Sequence, residues 1–245
     1  MTRAGRIASE VRAAGLEFLR RQTAVVFTFF FPAVLIVIFG ALVGSQAGGL
    51  FSEPPAYYVP GYLAVVVLFT PLSRLSSEVA RHREGARFEK LATTPLSPGE
   101  WLLAGTLVNA ALVGAASALV LVLLGVLTDA VFTIGPALVP AIALGTVLFC
   151  GIGAVLGSLA DSQDGAIAAS NGIGLPLLFL SDTFVPPDLL PAWFRPLMEL
   201  SPLTYFARAS RAALTGGGAD ADMAILAALA VAAFALGTYA LPWRG

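Results

Sequence analysis

Six apolar runs, separated by shorter polar stretches, set the rhythm of the chain. A helix needs about 20 apolar residues to cross the hydrocarbon core of a bilayer. The runs Val25–Gly44, Val59–Ser73, Trp101–Leu127, Pro136–Ala160, Gly165–Ser181 and Met223–Leu241 are read as membrane spans on that scale. The second is short, with Pro60 near its start and Pro71 near its end. The third is long enough to tilt. The fourth opens on a proline, where a missing N–H costs little. The fifth is short and interrupted by Asn171, Gly172, Gly174 and Pro176.

The polar stretches between the runs are patterned too. In residues 1–24, Ile7, Val11, Ala14 and Phe18 share one helical face, while Arg6, Glu10, Glu17, Arg20 and Arg21 lie largely off it. This spacing predicts a helix in the headgroup plane, with a solvated basic leader as the alternative. Ser181–Asp222 is too apolar for a free loop and too rich in proline for a span, which predicts short re-entrant or interface-lying helices. Within it, Pro202 opens a helix that carries Arg208 and Arg211 towards the outer headgroups, and Gly216 to Gly218 end it.

The stretch from Arg74 to Lys90 is charged or polar at eleven of 17 positions. Val79, Phe88 and Leu91 still keep an apolar thread through it. Thr93 and Thr94 precede Pro95, and the residue before a proline is biased out of the helical region, so a helix stops there. Ser97, Pro98 and Glu100 then form a capping box that opens the third span. Helix, stop, corner and membrane helix make a rigid elbow over residues 74–100. A solvated loop with a good cap fits the same residues.

Charge orients the set. Arginine and lysine before the first span, between the second and third, and in the tail number eleven, against three in the fifth-to-sixth segment. The positive-inside rule therefore places both termini and the elbow in the cytoplasm. Asp161 and Asp164, in the turn between the fourth and fifth spans, are read as helix caps, with a Mg²⁺ site as the alternative. Only 12% of residues are charged and 58% are hydrophobic, with a mean hydropathy of +0.86. A soluble domain carries about 25% charge. Net charge is -1, which leaves no basic field for nucleic acid. One cysteine, Cys150, excludes an intrachain disulfide and reads as a buried thiol; with one histidine it makes no metal site. The N-terminus reads as no cleavable signal. The fold class expected is an all-α membrane protein: one domain over 1–245 with six transmembrane helices, an interfacial N-terminal helix, a cytoplasmic elbow and an external segment over 182–222.

Two motifs carry a resemblance. "REGARFEKLATTPLSPGEWLLAGTLV" is similar to the cytoplasmic elbow of type-2 ABC exporter permeases at Gly85, Glu89, Leu91, Thr94, Pro95, Leu96, Ser97 and Glu100. "LPAWFRPLMELSPLTYFARASRAAL" is similar to that family's segment before the last span at Pro191, Trp193, Pro202, Leu203, Thr204, Tyr205 and Arg211. The resemblance implies a plasma-membrane permease subunit exporting an apolar or amphipathic substrate. It implies a coupling helix seated on a separate ATPase, made by Glu84, Gly85, Arg87, Phe88, Glu89, Lys90, Leu91, Thr94 and Pro95. Phe88 and Leu91 would be its apolar anchors, and Arg87, Glu89 and Lys90 its polar rim. Two ATPase copies would bind the ATP and Mg, this chain holding no cofactor, metal or catalytic residue. A second permease copy or a paralogue would complete a pathway lined by spans two and five, with Thr70, Ser73, Ser170 and Asn171 as candidates.

The sequence bears on this independently at one point. A phosphate-binding G-x-x-x-x-G-K-[ST] loop cannot be written, because the only lysine, Lys90, follows Glu89. An ion-driven transporter would need carboxylates deep in a span, and none is seen. An intramembrane enzyme would need a reactive cluster, and the sole histidine, His82, reads as solvated or interfacial. Asn109, in the third span, reads as a helix–helix hydrogen bond. A membrane scaffold without an ATPase stays open.

Overall fold

The computed structural model describes residues 2–20, 54–128, 130–184 and 190–243, with scattered positions between 22 and 38 and residues 186 and 187. The expected first span, Val25–Gly44, lies for the most part outside the described residues. Those described are helical, with no strand among them: α1 (Arg3–Arg20), a 3-10 turn at Pro55–Tyr58, α2 (Val59–Glu84), α3 (Arg87–Ala92), α4 (Pro98–Leu127), α5 (Leu138–Leu159), α6 (Gln163–Phe179), α7 (Arg195–Met198), α8 (Pro202–Thr215) and α9 (Asp220–Ala240). Four of these segments are long and apolar enough to cross a membrane: Pro55–Glu84, Pro98–Leu127, Leu138–Leu159 and Asp220–Ala240. The 17-residue α6 spans roughly 26 Å, short of a hydrocarbon core about 30 Å thick.

The second helix departs from expectation. It runs unbroken through Pro71 and through the charged stretch to Glu84, so no separate helix begins at Arg74. The reason is packing. Leu68, Leu72, Leu75, Ser76 and Val79 recur on one face and are all buried, which carries the seam past the proline. Pro136 also lies outside its helix, two residues before the first residue of α5.

Helix α5 is the centre of the bundle, packed between α2 and α9. Small residues let the backbones meet. A Cβ on Gly153 would lie 2.8 Å from the Leu72 carbonyl oxygen, and one on Gly157 would run into that of Ser76. On the other side Gly151 abuts the Ala233 backbone, and a Cβ on Gly237 would lie 2.7 Å from the Gly151 carbonyl oxygen. In lipid, where hydrophobicity does not drive helices together, such close approach supplies the van der Waals contact that does. Helix α8 packs against α9, α5 and α2 and buries Leu203, Phe206, Ala207, Ala213 and Leu214. It ends at Gly216, whose φ of 74° is the left-handed cap a glycine adopts freely.

Candidate functional site: the elbow

The elbow consists of the end of α2, a turn, α3 and the start of α4. Gly85 closes α2, and Ala86 takes a left-handed φ of 50° to reverse the chain. Thr93 and Thr94 close α3, their hydroxyls donating to the Lys90 and Leu91 carbonyls at 2.8 and 2.7 Å. The capping box at α4 is formed: the Glu100 N–H donates to Ser97 Oγ at 3.3 Å, and the Ser97 N–H to Glu100 Oε2 at 3.1 Å. The expected single helix over Glu84–Pro95 is thus a helix end, a turn and a six-residue helix.

Phe88 holds α3 in place. Its ring is buried and meets His82 of α2 at 5.5 Å, Trp101 of α4 at 5.1 Å and Trp243, beyond α9, at 5.6 Å between centroids. Two expectations are corrected here. Phe88 is an internal peg, with no surface to offer a partner. His82 is buried in the same ring cluster. An aromatic is worth more in this small core than on a polar face. Leu91 is half-buried at the cluster's edge.

What remains outward is polar. Arg83, Glu84, Gly85, Arg87, Glu89, Lys90, Thr93, Thr94 and Pro95 are all exposed. Glu84 has a partner within the chain, its Oε1 accepting from the Gln163 N–H at 2.9 Å.

Helix α1 backs the elbow and lies along α4. Ala14 and Phe18 are buried, and Ile7 and Val11 half-buried, so the apolar face that suggested a headgroup surface packs on protein. Two of the polar residues placed off that face, Arg6 and Glu17, tie it down. Arg6 grips Glu100 with two bonds, of 2.6 and 3.1 Å, and Arg3 adds a contact at 3.2 Å. Glu17 pairs with Arg81 and lies 3.9 Å from Arg87 of α3. The Arg74 guanidinium lies 5.4 Å from the Phe18 ring centroid and 3.7 Å from Glu78. The bond to Glu100 raises the Arg6 pKa. Burial pushes the Glu10 carboxyl up, Glu78 and Glu17 adding to the shift and Arg87 opposing it.

The pathway candidates separate. Ser170 is buried, its Oγ 2.6 Å from that of Ser76 across the α2–α6 seam. Thr70 and Ser73 are half-buried on α2, and Asn171 is exposed on α6. Asn109 is buried on α4 and donates to the Gly105 carbonyl of its own helix at 2.9 Å. Ser162, and neither aspartate, caps α6, its Oγ accepting from the Gly165 N–H at 3.0 Å. Among the described residues no group of His, Cys, Asp and Glu could hold a metal ion.

At the opposite end, Arg208 and Arg211 turn inward. Arg211 donates to Asp182 Oδ2 at 3.1 Å and to the Asp182 carbonyl at 2.9 Å, and lies 4.3 Å from the Tyr57 ring centroid. Arg208 bonds both Glu199 oxygens, at 2.6 and 3.1 Å, and lies 3.5 Å from Asp182. The Glu199 bond raises the Arg208 pKa. Both arginines are thus ion-paired within the chain.

Sequence reasoning missed Glu17, Asp182, Gln163 and Trp243. Their partners lie 26 to 155 positions away, and no local spacing signals them.

The sequence profile of the family described as ABC-2 type transporter matches residues 10–215. The daunorubicin resistance ABC transporter permease protein DrrB1 of Streptomyces coeruleorubidus is 28% identical over 203 residues, covering 80% of this chain and 70% of that protein.

Proposed function

Because the chain belongs to the ABC-2 type transporter family, we propose that it is the permease subunit of an ATP-driven exporter whose ATPase is a separate polypeptide. One observation carries the reading. Helix α3 is pegged at Phe88, braced through Glu17 and Arg87, and still presents an exposed charged face. A short helix so rigidly held suits the transmission of force to a partner.

The docking face is Arg87, Glu89, Lys90, Thr93, Thr94 and Pro95, with Leu91 as its apolar edge. Such an interface has a polar rim and small apolar area, which suits specific, reversible docking. Two ATPase copies bind the ATP and Mg, and this chain performs no catalysis. A second permease copy or a paralogue completes the pathway. Asn171, exposed midway along α6, is the residue proposed to face it. The apolar run Val25–Gly44 and α6 join the four long helices in a reading of six spans, with both termini and the elbow on the cytoplasmic side of the plasma membrane. The substrate is an apolar or amphipathic small molecule, in keeping with a relative named for drug resistance.

The test is a pull-down. The tagged chain is purified from its own membranes in mild detergent, and co-purifying proteins are identified by mass spectrometry. A subunit bearing a G-x-x-x-x-G-K-[ST] loop, retained by the native chain and lost from Glu89→Arg, supports the reading. Retention of no such subunit, even after crosslinking, favours a scaffold.

A further inference from the structure

The last two residues of α2 meet both ends of a neighbouring turn. Arg83 Nη1 donates to the Ser158 carbonyl in the last turn of α5. Glu84 Oε1 accepts from the Gln163 N–H, the first residue of α6, at 2.9 Å. Helix ends leave such groups without intrahelical partners. Their signs match as well: a cation at the carbonyl end of α5 and an anion at the amide end of α6. Only Ala160, Asp161 and Ser162 separate the two helices.

The contacts above this point extend the grip. Gly157 lies against the Ser76 backbone, and Ser76 bonds Ser170 of α6. Immediately below it the chain turns at Gly85 and Ala86 into α3, fixed by Phe88. Glu84 thus sits between the elbow and the one helix that exposes an asparagine.

We infer that Arg83 and Glu84 form the joint that delivers movement of the elbow to the α5–α6 turn, and that Glu84 positions α6 for transport without touching the ATPase. This rests on the reading of the preceding section, and it moves Glu84 from the partner interface to an internal contact.

Three variants isolate the bond. Glu84→Ala removes the acceptor, and Glu84→Gln keeps an oxygen in its place. Gln163→Pro removes the donor at the first helical position, where proline is tolerated. Ser162, extended at φ -150° and ψ 164°, already has the conformation a following proline demands. Two readouts are taken in lipid nanodiscs. Spin labels at Lys90 and Ala168, both exposed, report on the permease alone. Transport per ATP hydrolysed is measured on unlabelled chains with the co-purified ATPase.

Glu84→Ala and Gln163→Pro each broaden the label distance distribution and lower transport per ATP about five-fold. Glu84→Gln stays close to the native chain in both. The double variant Glu84→Ala/Gln163→Pro is no worse than either single one, as expected for two halves of one bond. Native distances and native coupling in Glu84→Ala and Gln163→Pro, or losses that add in the double variant, overturn the joint. Absence of ATP-dependent transport by the native chain sinks the preceding reading instead, and the label distances then decide the joint alone.

Discussion

The two ends of the bundle use the same side chains to different ends. Away from the elbow, Arg208 and Arg211 are taken up by Asp182, whose side chain is 4% exposed, and by Glu199. At the elbow, Arg6, Arg81 and Arg74 are likewise paired, but Glu89, Lys90, Thr93 and Thr94 still stand in the open. One end is an internal ionic knot, and the other is a braced platform with a free face. Charge counted along a sequence does not separate them. Substitution does: changes in the knot or in the brace act on stability, and changes on the free face act on coupling.

The largest effect is expected in the brace. Phe88→Ala deletes the ring at the centre of the aromatic cluster and costs about 4 kcal/mol, read as a lower unfolding midpoint in detergent. In the knot, Asp182→Ala leaves Arg211 without its carboxylate partner and costs about 3 kcal/mol, by the same measurement. Ser97→Ala removes the α4 cap at about 1 kcal/mol. If it costs nothing, Arg6 and Glu100 hold the α4 start without it. Glu89→Arg and Lys90→Ala change stability by no more than about 0.5 kcal/mol. They nonetheless abolish or sharply reduce ATP-driven transport, assayed in reconstituted vesicles with the co-purified ATPase. Full transport by both variants would remove the contrast between the ends.

The smallest effect is in pH. The Glu10 pKa is raised in the folded chain, chiefly by burial, so folding favours its protonated form. Its contribution to stability is therefore present at acid pH and is lost as pH rises from the ordinary carboxylate range through the raised value. Glu10→Gln flattens that slope and leaves the protein slightly more stable at neutral pH, which unfolding measured across the range detects.

Much of the architecture was legible because its signals are local. The Ser97–Glu100 capping box, the Thr93 and Thr94 stop, and the glycine at the end of α8 involve residues within a few positions of one another. The extent of α2 was not legible, because what carries it past Ser73 is a seam of glycines on α5, some 80 positions on. Apolarity misleads here as well. Along its apolar stretch most residues of α2 are buried within the chain, whereas most of those of the more apolar α4 are not. Lipid selects the greasiest surface, and the interior tolerates the serines. For that reason Ser170, chosen as a polar residue at depth, is a seam contact, and Phe88, chosen as an exposed anchor, is a peg. Polarity in the sequence told that these stretches differ from their surroundings, and not which way their side chains turn.

The central claim is that the exposed face of α3 receives a separate ATPase. Photo-crosslinkers placed singly at Lys90, on that face, and at Leu200, exposed at the opposite end, test it in native membranes. The account predicts an adduct from Lys90 with a protein bearing a G-x-x-x-x-G-K-[ST] loop, and none from Leu200. No ATPase adduct from Lys90, or equal adducts from both positions, would contradict it.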